Sequence, residues 1–190
     1  MSDEEMDKSL ESLQEAVHEI HEAENREKWL GYVALISGLL AAFAAVVGLF
    51  ETQATSKTIL TKNEAILMQS KASDQWNFYQ AKSIKGHIYE VNAKLYPKQA
   101  EEFTKEVKKY GVDKAEIKNK AEEFEKKVEE KNVESEHFFH LHHLYSFAET
   151  FLHISIALAS ISALTRKKQL LYAAVGCGLA GVFFFVRGVL

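Results

Sequence analysis

Proline is nearly missing from this chain: Pro97 is the only one in 190 residues, and the nine glycines fall mostly inside apolar runs. With so few breakers there is little room for irregular segments, and the composition predicts an almost wholly helical protein. A lone cysteine, Cys177, excludes an intramolecular disulfide. Basic tracts outside short loops are absent, as is any basic face interleaved with aromatics, so nucleic-acid binding has no electrostatic support. Enzymatic signatures are also lacking. There is no His-Glu-x-x-His (His18-Glu19-Ile20-His21 has the wrong spacing), no Gly-x-Ser-x-Gly and no phosphate-cradling glycine loop. No enzyme, cofactor or resident metal is expected.

What is present is segregated charge. Residues 1–28 carry ten acids and three bases, residues 51–146 carry sixteen of each, and residues 147–190 carry one acid, Glu149, and four bases. Between the first two blocks lie residues 29–50, WLGYVALISGLLAAFAAVVGLF, without a charge. A helix of that length measures about 33 Å and crosses a bilayer's hydrocarbon. The acidic segment before it is not the basic n-region of a signal peptide, so residues 29–50 read as a retained anchor. Two further apolar stretches, residues 147–164 and 170–187, flank the basic turn 165–169. The expected fold is all-α, an integral membrane protein with three transmembrane helices and a long, coiled-coil-like extramembrane helical hairpin between the first two.

Periodicity gives the expected interfaces. Ser2 and Glu5 form a capping box for an acidic amphipathic helix over residues 1–28. Met6, Leu10, Leu13, Val17 and Ile20 follow at heptad spacing, and the same spacing then meets Gly31, Ala34, Gly38, Ala41, Ala45 and Gly48, all small. Small residues let helix backbones approach closely in lipid, so this line is a candidate packing seam, either between copies of the chain or against its own other spans. In residues 51–146 the turn is expected near Pro97. The first arm offers Ile84, Ile88, Val91 and Leu95 as its seam, and the second offers Phe103, Val107, Tyr110, Ile117, Ala121, Phe124 and Val128. Gly111, followed by Asp113 and Glu116, predicts a kink or brief break in the second arm. Narrow stripes and densely charged outer faces argue for a stalk, not a catalytic domain.

The stretch from Ser73 to Lys85 contains Asp74, Gln75, Trp76, Tyr79, Gln80 and Lys82, and closes with Tyr89-Glu90. With the acidic first helix and the C-terminal pair of spans, it resembles the bacterial membrane-protein family catalogued as domain of unknown function 4337. That resemblance implies a bacterial inner-membrane protein without an established activity, and it carries over no catalytic residues. Physically, the stretch reads as a helix–helix patch whose polar residues fix register, or as a site for a partner.

His137, His140, His142, His143 and His153 cluster at the entry to the second span. At 100° per residue His142, Glu149 and His153 share a face, and ionisable groups inside a span usually avoid lipid. Three readings compete: an interfacial anchoring band, an ion or proton pathway lined by these residues, and a metal site, which is the weakest because no closed tetrahedral set exists. Arg26, Lys28, Arg166, Lys167 and Lys168 fall on one side of the membrane, which places the N-terminus in the cytoplasm and the hairpin outside. The reading is a multi-pass inner-membrane protein in contact with lipid, a homo-oligomeric assembly or docking scaffold whose hairpin meets a protein partner. The alternative is an ion or proton channel.

Overall fold

A computed structural model describes residues 13–190, together with the helical path of residues 3–12. The capping box at Ser2 and Glu5 and the seam residues Met6 and Leu10 lie outside the described residues. The chain forms three α-helices and one short 3₁₀ turn: α1 (Asp3–Leu95), the turn Pro97–Gln99, α2 (Ala100–Thr165) and α3 (Lys168–Val189). No strand occurs among the described residues. Each of the three helices contains a stretch long and apolar enough to cross a membrane.

Element boundaries differ from expectation in two respects. A discrete first span followed by a separate hairpin arm is not found; α1 runs unbroken from the acidic segment through residues 29–50 to Leu95. Nothing in residues 50–53, Phe-Glu-Thr-Gln, stops a helix, and a break there would orphan four backbone groups on each side of it. The brief break expected after Gly111 is also absent, since α2 is helical throughout. One glycine costs a helix only about 1 kcal/mol, which the packed neighbouring turns offset.

The chain divides into two compact units: Met1–Thr52 with Leu141–Leu190, and Gln53–His140. The first unit is a three-helix assembly. Val33, Ala159 and Ala174 form a core at one end, with Trp29, Leu158, Ala163 and Leu171 packed against it. Ala44, Val47, Ala148 and Leu152 are buried elsewhere in the unit. Edge-to-face contacts of Phe43 and Phe50 with Phe185, at 5.4 and 5.3 Å, join α1 to α3.

Helices α2 and α3 approach along small residues. A Cβ on Gly181 would lie 2.9 Å from the Ala148 carbonyl oxygen, and one on Gly188 only 2.6 Å from Tyr145 Cε1. Hydroxyls finish this interface: Ser155 donates to the Ala174 carbonyl at 2.6 Å and Tyr145 to the Gly188 carbonyl at 2.8 Å. Of the glycines around Cys177, Gly178 and Gly181 serve this close packing, as small residues do between helices in lipid, whereas Gly176 is exposed and a Cβ there would meet nothing within 4 Å. The turn from α2 to α3 needs only Arg166, at φ 58°, and Lys167, whose carbonyl accepts from the buried Ser162 hydroxyl at 3.1 Å.

The second unit is an antiparallel helical hairpin closed at Pro97–Gln99. Its buried positions are small: Ala54, Thr61, Ala65 and Ala72 on the first arm, Ala121 and Ser135 on the second. The second-arm stripe from Phe103 to Val128 is at least half-buried, as its spacing predicts. The expected first-arm seam is wrong. Ile84, Ile88, Val91 and Leu95 are 60, 53, 53 and 66% exposed, while Ser83, Gly86 and Ala93 turn inward. Arms packed through alanine and glycine come too close for branched aliphatics to fit between them.

Candidate functional sites

Within the hairpin, the Trp76 region is a cross-arm contact patch. Trp76 Nε1 donates to Glu125 Oε1 at 2.8 Å, and the Trp76 and Tyr79 rings meet edge to face at 5.6 Å. Lys82 Nζ donates to Asp113 Oδ2 at 2.6 Å and sits 5.1 Å from the Tyr110 ring centre. Lys114 reaches back to Ser83 Oγ at 3.3 Å and lies over the Tyr79 ring at 5.5 Å. Hydrogen bonding to Asp113 holds the Lys82 ammonium above its ordinary pKa. Asp74 and Gln80 are exposed and Gln75 is half-buried.

Similar contacts recur towards the open end of the hairpin. Lys131 bridges Glu64 and Glu134, each at 2.9 Å, which raises its pKa. Lys62 donates to Asn132 Oδ1 at 2.8 Å, and Ser135 Oγ donates to the Thr58 carbonyl at 3.2 Å. Because the small-residue seam has few knobs of its own, these polar and cation–π contacts select one register over its neighbours. Lys71 lies over the Phe124 ring at 5.9 Å.

In the three-helix unit the histidine-rich face divides. His142 Nδ1 lies 2.7 Å from Glu51 Oε1, both side chains being largely buried. Glu149 is half-buried against α1, its Oε1 3.1 Å from where a Gly48 Cβ would stand. His153 is exposed. The structure therefore turns His142 and Glu149 towards α1 on successive stretches of α2 and leaves His153 outward. Among the described residues, no group of three His, Cys, Asp or Glu side chains could hold a metal ion.

The small-residue line on α1 also divides. Gly48 meets Glu149, whereas Gly31, Ala34, Gly38, Ala41 and Ala45 are exposed, and a Cβ on Gly31 or Gly38 would meet nothing within 4 Å. The face of α1 that packs inside the unit carries Val33, Ala44 and Val47 instead. Spacing alone does not separate these two faces, since both repeat at heptad intervals.

One group of residues was not visible in the sequence as a site. Arg26, Lys28, Trp29 and Tyr32 of α1 and Arg166 and Lys168 at the α2–α3 turn line a cavity of about 690 Å³. Its sequence signal is the shared membrane side of the two basic clusters, which periodicity does not join.

Comparison with known proteins gives a family match over most of the chain: the family described as domain of unknown function (DUF4337) matches residues 29–190. No curated protein and no solved structure matches.

Proposed function

We propose, for a chain that belongs to the DUF4337 family and inherits no activity from it, that the protein is a homo-oligomeric scaffold of the bacterial inner membrane. Its three apolar helical stretches cross the bilayer and its hairpin serves as a stalk for assembly or partner docking. It is not an enzyme. One observation carries this reading: α1 has a heptad face without a partner among the described residues. Leu13, Val17 and Ile20 are 62, 65 and 69% exposed, and the line continues through Gly31, Ala34, Gly38, Ala41 and Ala45. An amphipathic helix in water with its apolar stripe uncovered is an interaction surface. A small-residue line beyond it suits the same partner helix in lipid. The occupant that fits both halves is α1 of a second copy, since the identical helix presents heptad apolar residues and small residues in the same order.

The basic residues Arg26, Lys28, Arg166, Lys167 and Lys168 favour a cytoplasmic N-terminus with the hairpin and the C-terminus outside. A cysteine at position 98, probed with an impermeant thiol reagent on intact cells, is expected to label.

The channel reading has less support, because His142 is engaged by Glu51 and Glu149 is held against Gly48. Mass in mild detergent tests the scaffold reading. We expect an oligomer that Gly38→Ile with Ala45→Ile reduces to monomers; both positions face outward, so the substitutions clash with nothing inside one chain. An unchanged mass would remove this face as the interface. Liposome ion flux abolished by Glu149→Gln would instead favour the channel.

A further inference from the structure

The cavity between the start of the apolar stretch of α1 and the α2–α3 turn combines three things that an anionic headgroup needs. The first is charge. Arg26, Lys28, Arg166 and Lys168 line it against a single carboxylate, Glu22, whose Oε1 lies 3.5 Å from His18 Nε2. Lys28 is shared with Glu24 at 2.7 Å, so Arg26, Arg166 and Lys168 are the cations without a carboxylate partner among the described residues. Cations converging from two chain segments 140 residues apart are held together only by the fold. Their mutual repulsion is relieved by a bound anion.

The second is a set of donors. Trp29 lines the cavity, and its indole N–H is shielded from solvent without meeting an acceptor among the described residues. A buried, unmade hydrogen bond costs about 1 to 3 kcal/mol, so an acceptor is wanted there. Helix α3 begins in the same wall at Lys168, and no side chain caps it. Its free backbone N–H groups and the positive end of its dipole add to the attraction for an anion.

The third feature decides between a lipid and a free anion. The same two helices, α1 and α3, enclose an apolar groove of about 320 Å³ between Leu39, Leu40 and Phe43 on one side and Val175, Leu179 and Val182 on the other. Counted from Tyr32, positions 36 to 43 lie about 6 to 17 Å further along α1. That is the depth of hydrocarbon in one leaflet, about 15 Å. Trp29 and Tyr32 sit at the headgroup level that amphipathic aromatics favour. A free phosphate would have no use for the groove, whereas an acyl chain fills it.

We propose that this cavity binds the phosphate of an anionic glycerophospholipid, with one acyl chain laid in the α1–α3 groove. The proposal rests on the membrane-spanning reading above. Basic pockets between helices at the cytoplasmic surface take anionic headgroups in this way. Bound there, the lipid joins α1 to the α2–α3 turn through its phosphate.

Native mass spectrometry of the full-length protein in neutral detergent tests it, with phosphatidylglycerol and phosphatidylcholine of equal chain length added together. Retention of phosphatidylglycerol over phosphatidylcholine is expected. Arg166→Asn, which tolerates the left-handed backbone, combined with Lys168→Gln should weaken retention about 30-fold, at roughly fivefold per basic residue. Trp29→Phe, which keeps the ring and removes the donor, should weaken it severalfold, and Leu179→Trp should block the groove. Arg187→Gln, an exposed charge that does not line the cavity, serves as the control and should bind as the parent does.

Equal retention of both lipids, or retention that survives the double substitution, overturns the proposal. So does inorganic phosphate that displaces the lipid and binds as well on its own. Extraction of membranes with alkaline carbonate separates this from the underlying reading: release of the protein removes the membrane assignment itself, while a protein that stays in the membrane but does not discriminate between the lipids removes only the site.

Discussion

At the scale of single residues, contacts are decided by whether a neighbour can give way. Gly181 faces a backbone carbonyl, which cannot rotate aside, so Gly181→Ala forces α3 away from α2. Overpacking of this kind costs about 1 to 3 kcal/mol, and a lower melting temperature in detergent is expected. Gly176→Ala on the same helix, whose new methyl meets nothing within 4 Å, is the matched control and should not lower the melting temperature. Lys82 gives a pH signature. Its folded pKa lies above its ordinary value because of Asp113, so the stabilisation is complete below the unfolded pKa of about 10.4 and is lost as pH rises through the folded value. The melting difference between the parent and Lys82→Met should therefore be constant from pH 8 to 10 and shrink above that range. A difference that grew with alkalinity would contradict the ion pair.

At the scale of elements, the first arm of the hairpin packs through its small residues and exposes its large aliphatic ones. Ala72→Leu should destabilise it by about 1 to 3 kcal/mol, because Ala72 has no exposed surface against the facing arm. Ile88→Ser should stay within about 0.5 kcal/mol, because Ile88 touches water already. Chemical denaturation of the two variants checks both. This inversion shows where the sequence was legible. The all-helical class, the three apolar stretches, the turn at Pro97 and the second-arm stripe follow from breakers and periodicity, and the structure agrees. The first-arm seam does not follow, because hydrophobic spacing marks which residues avoid water, not which face another helix can approach most closely. Alanine, threonine and glycine at Ala54, Thr61, Ala65, Ala72 and Gly86 are nearly silent on that measure. Trp76 and Lys82 were legible as an unusual stretch, but their partners Glu125 and Asp113 are among sixteen acids that only the fold tells apart. The basic cavity was hidden for the same reason: Arg26 and Arg166 are neighbours only once the chain has turned back.

At the scale of the whole molecule, the apolar side chains that stay exposed govern its behaviour. In the three-helix unit Leu35, Leu39, Leu49, Tyr172, Leu179 and Phe183 all face outward, and such a surface requires an apolar medium. Removing detergent should therefore precipitate the protein, as light scattering would register. The two tryptophans give a means of following each unit separately. Trp29 stands in the three-helix unit beside the basic cavity, and Trp76 stands in the hairpin against Glu125. No other indole is present, since the chain has two tryptophans in all. The molecule thus carries one fluorescent reporter per unit: emission from Trp76→Phe follows the three-helix unit alone, and emission from Trp29→Phe follows the hairpin.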